Sequence, residues 1–200
     1  MSFPSRAFPR DLLMCLVTGA LILVARASFA DHYRVPSGSM EPTVAVGDHV
    51  CVNKLAYGLR VPDSGVYVLR GHDPQRGEVV VLTSPLDGEV LLKRVVAVPG
   101  DDVQVIDGHV VIDGAAVPVE QQGDAVVEML GAHPHRLGTT YGGGPDLAGT
   151  RVPPDHYLVL GDNRGNSRDG RSFGWVARDA FLGRASAVCL HEGRPVWKGL

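Results

Sequence analysis

A hydroxyl, an amine and a polar loop stand out among the residues able to do chemistry. Ser39 lies in the run Val35-Pro36-Ser37-Gly38-Ser39-Met40-Glu41-Pro42-Thr43. Gly38 permits backbone conformations that a β-carbon resists, and Pro36 restricts the approach to the turn. Such a turn lifts Ser39 from the surface and aims its backbone N–H beside its hydroxyl. The tripeptide Ser-Gly-Ser alone also fits an ordinary loop; the run as a whole is far more specific. Lys93 lies in Leu91-Leu92-Lys93-Arg94-Val95-Val96-Ala97-Val98. Strand alternation sets Lys93 on one face with Leu91, Val95 and Ala97, and Arg94 on the other with Leu92, Val96 and Val98. Apolar neighbours disfavour the ammonium and lower its pKa. A neutral amine can then take the proton of a serine hydroxyl. The same residues also fit an edge strand with Lys93 and Arg94 turned to solvent.

The third feature is residues 161–176, Gly-Asp-Asn-Arg-Gly-Asn-Ser-Arg-Asp-Gly-Arg-Ser-Phe-Gly-Trp-Val. As a calcium loop it fails, because its carboxylates do not alternate and Arg164, Arg168 and Arg171 repel a cation. As a structural loop it suits Asp162 and Asp169 pairing with arginines. Within it, Ser167 is suited to hydrogen-bond a neutral lysine amine and hold it in place.

Other reactive side chains offer less. His133 and His135 flank Pro134, while His72, His109, His156 and His191 are scattered. No helical pair spacing or carboxylate cluster supports a metal site, so neither metal nor cofactor is expected. A Ser-His-Asp triad is compatible with any sequence order, but Lys93 has the better local context. Cys15, Cys51 and Cys189 lack the close spacing of a zinc site. Cys15 reads as a buried thiol in an apolar stretch. Cys51 and Cys189 read as two buried free thiols in preference to a bridged pair.

The elements that must position these groups are short strands. The 200 residues, with a net charge of −3, suit one domain plus an anchor. No basic block points to nucleic acid. β-Branched runs recur at residues 79–82, 90–98, 103–106, 109–112, 157–160 and 185–190. Asp107-Gly108 and Asp113-Gly114 supply hairpin turn signals. Residues 124–130 are the one short helical candidate after residue 40, and residues 138–150 read as a flexible Gly- and Thr-rich loop. The expected class is mainly β, a compact barrel or sandwich of short antiparallel strands.

Residues 12–25 are apolar apart from Thr18, with Arg6 and Arg10 before them and Arg26 after. Snorkelling of Arg26 would let residues 12–30 span a bilayer as one transmembrane helix. The preceding arginines favour a cytoplasmic N-terminus. A cleavable signal peptide ending Ala25-Arg26-Ala27-Ser28-Phe29-Ala30, with a mature start at Asp31, fits the same residues.

These features together resemble the bacterial type I signal peptidases, matching their ordered boxes over roughly residues 31–190. The boxes are residues 36–43, then Gly47-Asp48-His49-Val50-Cys51-Val52-Asn53-Lys54, then Lys93-Arg94 with Pro99-Gly100-Asp101, then residues 161–176. The resemblance implies a membrane-bound serine endopeptidase that cleaves N-terminal signal peptides from exported preproteins after Ala-x-Ala. By it, Ser39 is the nucleophile and Lys93 the general base. The Ser39 N–H and the Ser37 hydroxyl form the oxyanion hole, and Ser167 orients Lys93. Asp162, Arg164, Asp169 and Arg171 shape the site. Val35, Pro36, Met40, Leu91 and Leu92 line small substrate pockets, and the substrate binds as an added strand.

The implied plan is a cytoplasmic segment 1–11, an anchor 12–30 in the bacterial inner membrane and a catalytic domain 31–200 on its outer side. The partners are preprotein signal peptides and the lipid bilayer. Gly165 and Gly170 depart from the Asp and Ser of many relatives, and only one membrane segment is apparent. The space before the last box excludes the large extra β domain of some relatives. A specialised maturation peptidase of the same clan, acting on a pilin-like or conjugation substrate, would use the same residues. A non-catalytic periplasmic binding module is the alternative of a different class.

Overall fold

β-Branched runs broken by glycine and proline favour short strands over helices. The computed structural model describes residues 30–60 and 67–200, with Leu12, Met14, Cys15 and Thr18 in helical conformation. In chain order the strands are β1 (Ala30–Arg34), β2 (His49–Asn53), β3 (Gly58–Arg60), β4 (Tyr67–Arg70), β5 (Val79–Thr83) and β6 (Val90–Ala97). There follow β7 (Asp102–Ile106), β8 (His109–Ile112), β9 (Ala115–Ala116), β10 (Val119–Gln122), β11 (Ala125–Leu130) and β12 (His133–Leu137). The last are β13 (Leu147–Arg151), β14 (His156–Leu160), β15 (Val176–Ala177), β16 (Phe181–His191) and β17 (Arg194–Gly199).

The main sheet runs β1-β2-β16-β5-β6-β14-β15, with β17 added to β16. Its outer strands β1 and β15 do not meet, so the expected antiparallel β class is found but the sheet does not close into a barrel. Smaller sheets β10-β11-β12, β13-β7-β8-β9 and β3-β4 flank it. The centre is buried on both faces. Val79 and Val81 of β5 enter one core cluster with Val35, Met40, Val44 and Val50. Val80 and Leu82 enter another with Tyr57, Val95, Val159 and Phe181. This double burial puts Lys93 inside an apolar layer.

The two predicted Asp-Gly turns form, with positive φ at Asp107, Gly108, Asp113 and Gly114, the backbone that two-residue hairpins require. Residues 124–130 are not helical. They form β11, because Val126 and Val127 find partners in both β10 and β12. The end of the expected loop 138–150 is ordered as β13 against β7.

Cys51 and Cys189 are bridged rather than free, with Cα atoms 5.9 Å apart. Their strands β2 and β16 are neighbours, and an irregularity between Val188 and Leu190 brings Cys189 to Cys51. Cys15 is exposed, not buried. The bridge closes a sequence separation of 138. Replacing both cysteines by serine is therefore expected to remove about 2–4 kcal/mol of stability. Urea unfolding of the oxidised protein and the double variant measures this; coincident curves would contradict it. The expected segment 1–11 and most of the expected anchor 12–30 lie outside the described residues. Among the described residues no helix is long and apolar enough to cross a membrane.

Candidate active site

The chain leaves β1 and makes a loop whose ends are tied together. Val35 N–H donates to the Asp48 carbonyl at 2.8 Å, and Gly47 N–H to the Val35 carbonyl at 2.9 Å. Met40 is fully buried beneath the loop and pins it to the core. At its tip, residues Gly38–Met40 form one 3₁₀ turn. Gly38 does not adopt the left-handed conformation. A β-carbon there would stand 2.8 Å from Glu41 Oε2, the movable end of a half-buried side chain. The turn is held from the loop that follows β14: Asn163 N–H donates to the Ser39 carbonyl at 3.1 Å, and Asn163 Nδ2 to the Gly38 carbonyl at 3.0 Å.

Lys93 meets this turn. Its Nζ lies 2.6 Å from Ser39 Oγ, and the two residues are 3 % and 8 % exposed. Ser37 Oγ stands 3.4 Å from Ser39 Oγ. Lys93 is paired across from Val80, and Leu91 and Val95 of its own face join Val80 in the same apolar cluster. Burial pulls the Lys93 amine down to about 8; Asp169 and Asp162 draw it back up, while Arg168 and Arg171 push it further down. As an ammonium, Lys93 donates to Ser39. As a neutral amine it accepts the serine proton.

Arg94, which the sequence also allowed at a solvent edge, is buried. Its Nε and Nη2 donate to the two oxygens of Asp162 at 2.8 and 2.7 Å, and its Nη1 to the Gly77 carbonyl at 2.6 Å. Thr43 Oγ1 donates to Asp162 Oδ2 at 2.5 Å. Asp162 thus joins the nucleophile loop, the lysine strand and the loop after β14. Desolvation by burial works against its carboxylate, but Arg94 and Thr43 more than offset this and its pKa is lowered.

Asp169 accepts from Gly161 N–H at 3.0 Å and from Arg171 Nε and Nη2 at 2.9 and 2.8 Å. Arg171 also donates to the Gly143 and Arg164 carbonyls, each at 2.6 Å. Arg164 is paired with Glu128 of β11, Nη2 to Oε2 at 2.6 Å, and His135 Nε2 lies 3.2 Å from the same oxygen. Glu128 escapes the sequence reading, which considers His135 only as a metal ligand or triad member and not as a partner of a buried carboxylate. Glu128 sat in a segment expected to be helical, and nothing in its neighbours marks a buried carboxylate.

Ser167 Oγ is buried, and no hydrogen bond links it to Lys93. It packs where a side chain on Gly161 would collide with it and with the Ser39 carbonyl. Of the expected pocket residues, Pro36 is exposed and Leu91 and Leu92 are half-buried, whereas Val35 and Met40 belong to the core beneath. The stretch Val90–Lys93 pairs with β5 on one side. On the other, the pairing with β14 ends at Arg94, leaving a strand edge beside Ser39 that no described strand occupies.

Residues 10–190 match the family model described as signal peptidase, peptidase S26. The chain is 36% identical over 199 residues to a signal peptidase I of Pseudomonas fluorescens, a match covering 88% of this chain and 70% of the other. It is 34% identical over 183 residues to a probable signal peptidase I-2 of a Synechocystis species, with the same two shares, 88% and 70%. A crystal structure of a signal peptidase I from Enterococcus faecalis V583 is 25% identical with a TM-score of 0.41, covering 57% of this chain and 98% of that one.

Proposed function

The chain belongs to the signal peptidase family, peptidase S26, the serine peptidases of signal-peptide processing, and on that premise we propose that it cleaves preproteins with Ser39 as nucleophile and Lys93 as base. The observation that carries this reading is the 2.6 Å approach of Lys93 Nζ to Ser39 Oγ in a desolvated setting. The neutral amine takes the hydroxyl proton as Oγ attacks the scissile carbonyl carbon. The Ser39 N–H and the Ser37 hydroxyl donate to the oxyanion. Collapse breaks the C–N bond, and the Lys93 ammonium returns its proton to the leaving amine. Lys93 then takes a proton from the water that attacks the Ser39 ester and delivers it to Ser39 Oγ as the acyl group leaves.

Asp162, Arg164, Asp169 and Arg171 keep the walls of this site fixed, and Ser167 packs beside it to orient the lysine once the amine turns. The substrate backbone adds to the open edge of β6, consistent with the stretch Val90–Lys93 having a strand partner on one side only among the described residues. Pro36, Leu91 and Leu92 offer small apolar surfaces to alanine-like side chains, supported from beneath by Val35 and Met40.

Residues 12–30 anchor the chain in the bacterial inner membrane, with residues 1–11 cytoplasmic and residues 31–200 outside. The Cys51–Cys189 bridge supports an oxidising compartment for that domain. Removing the Ser37 hydroxyl by Ser37→Ala is expected to lower kcat by about 10²–10³, the effect of one oxyanion donor. An unchanged kcat would remove Ser37 from the mechanism.

The reading is tested by incubating the full chain in detergent with a preprotein whose signal ends Ala-x-Ala and locating the cut by mass spectrometry. A single cut after the second alanine, absent with Ser39→Ala, is the expected result. Failure on several preproteins would overturn general signal-peptide cleavage in favour of a narrow maturation substrate.

A further inference from the structure

The open stretch of β6 has two ends. Its far end is the turn that leads into the strand, where Ser84 N–H donates to the Glu89 carbonyl at 2.8 Å and Gly88 N–H to the Ser84 carbonyl at 3.0 Å. Its near end is Lys93, beside the loop that follows β14. Arg168 joins the two. Its Nη2 contacts Asp87 and lies 3.2 Å from Glu89 Oε2. In the chain it stands between Ser167 and Asp169, the residues packed against Gly161. Glu89 immediately precedes β6, and a four-residue extended step from it to Lys93 spans about 13 Å. The Arg168 side chain therefore links the loop after β14, at the lysine end, to the turn before β6. Of the arginines in this loop, Arg164 and Arg171 are held in buried ion pairs with Glu128 and Asp169, whereas Arg168 makes partly exposed contacts to the turn before β6.

We propose that Arg168 is a positioning residue, tying the turn before β6 to the loop after β14 and so holding the open edge of β6 in register for the substrate backbone. The inference rests on the signal-peptidase reading above. It gives Arg168 two separable effects. One is geometric and needs Asp87 and Glu89 as partners. The other is electrostatic and needs only the charge. Lys93 is faced by Asp162, Asp169, Arg168 and Arg171 from the loop and by the Ser39 hydroxyl from the nucleophile turn, and the Arg168 charge helps to keep its amine neutral. Arg168 and its partners are partly exposed, so substitutions leave the core intact and the effects are modest and screened by salt.

Steady-state cleavage of a preprotein by the full chain in detergent, followed across pH at low and high salt, tests this. Arg168→Ala is expected to raise KM about two- to fivefold, the scale of an exposed ion pair, and to move the acid limb of kcat/KM to higher pH. Arg168→Lys keeps the charge and restores the pH position, but recovers KM only in part because an ammonium lacks the guanidinium fork. The double variant Asp87→Asn with Glu89→Gln raises KM as Arg168→Ala does without moving the limb upward. High salt narrows the KM differences. Active wild type with KM and pH limb unchanged in both Arg168→Ala and the double variant would overturn the inference alone. Wild type that cleaves no preprotein would overturn the signal-peptidase reading, and this inference with it.

Discussion

Exchanging Lys93 for methionine is expected to lower kcat for preprotein cleavage by about 10³–10⁶ while the protein stays folded. The magnitude follows from the role. Without a base, Ser39 keeps its proton, and what remains is the residual catalysis of binding and oxyanion stabilisation. The retained fold follows from the surroundings. Lys93 is almost fully buried among Val80, Leu91 and Val95, a setting that already disfavours its charge. A methionine of similar length fills that space without an unpaired polar atom. Circular dichroism and thermal unfolding report the fold, and cleavage kinetics report the loss. A well-folded methionine variant retaining more than about a tenth of wild-type kcat would sink Lys93 as the base, and the histidines would return as candidates.

The second large effect concerns stability. Asp162→Ala is expected to cost about 3–5 kcal/mol, because it strands the buried Arg94 guanidinium. Arg94 directs two N–H groups at the two Asp162 oxygens, and both side chains are essentially inaccessible. The change also releases Thr43 and therefore the far side of the nucleophile loop. Activity should fall together with stability. Asp162→Asn, which keeps one acceptor, should be intermediate in both. Urea unfolding midpoints of the three proteins decide the matter, and a midpoint for Asp162→Ala within error of wild type would contradict the assigned role of the pair.

The reactive groups were legible because local patterns carried them. The small-residue turn at Ser37-Gly38-Ser39, the apolar alternation around Lys93 and the acid–arginine loop at 161–176 each announced themselves within a few residues. The meeting of Ser39 with Lys93 follows from the order of β6 beside β14 and from the clamp of Asn163 on the serine turn. Sequence suggests that arrangement only through resemblance. Where partners are remote and individually unremarkable, the sequence is silent. Glu128 of β11 meets Arg164 of the loop after β14, and Cys51 finds Cys189 only because β2 and β16 are neighbours with an irregular register. Residues 124–130 were misread because a short apolar run fits either period, and the choice was made by strand partners on both sides. The backbone freedom expected of Gly38 is not used: its φ is not positive, and a β-carbon there would first meet the movable carboxylate of Glu41.

The central claim is that a neutral lysine activates Ser39. The most direct measurement is kcat/KM of the wild type from about pH 6 to about pH 10, which reports the essential groups of the free enzyme. The reactive form is the unprotonated amine, whose fraction rises with pH through the folded-state value of about 8. The account predicts a unit-slope rise that levels off above a midpoint near that value. A profile flat across the range, or one whose midpoint falls near the ordinary histidine value of about 6.5, would contradict it.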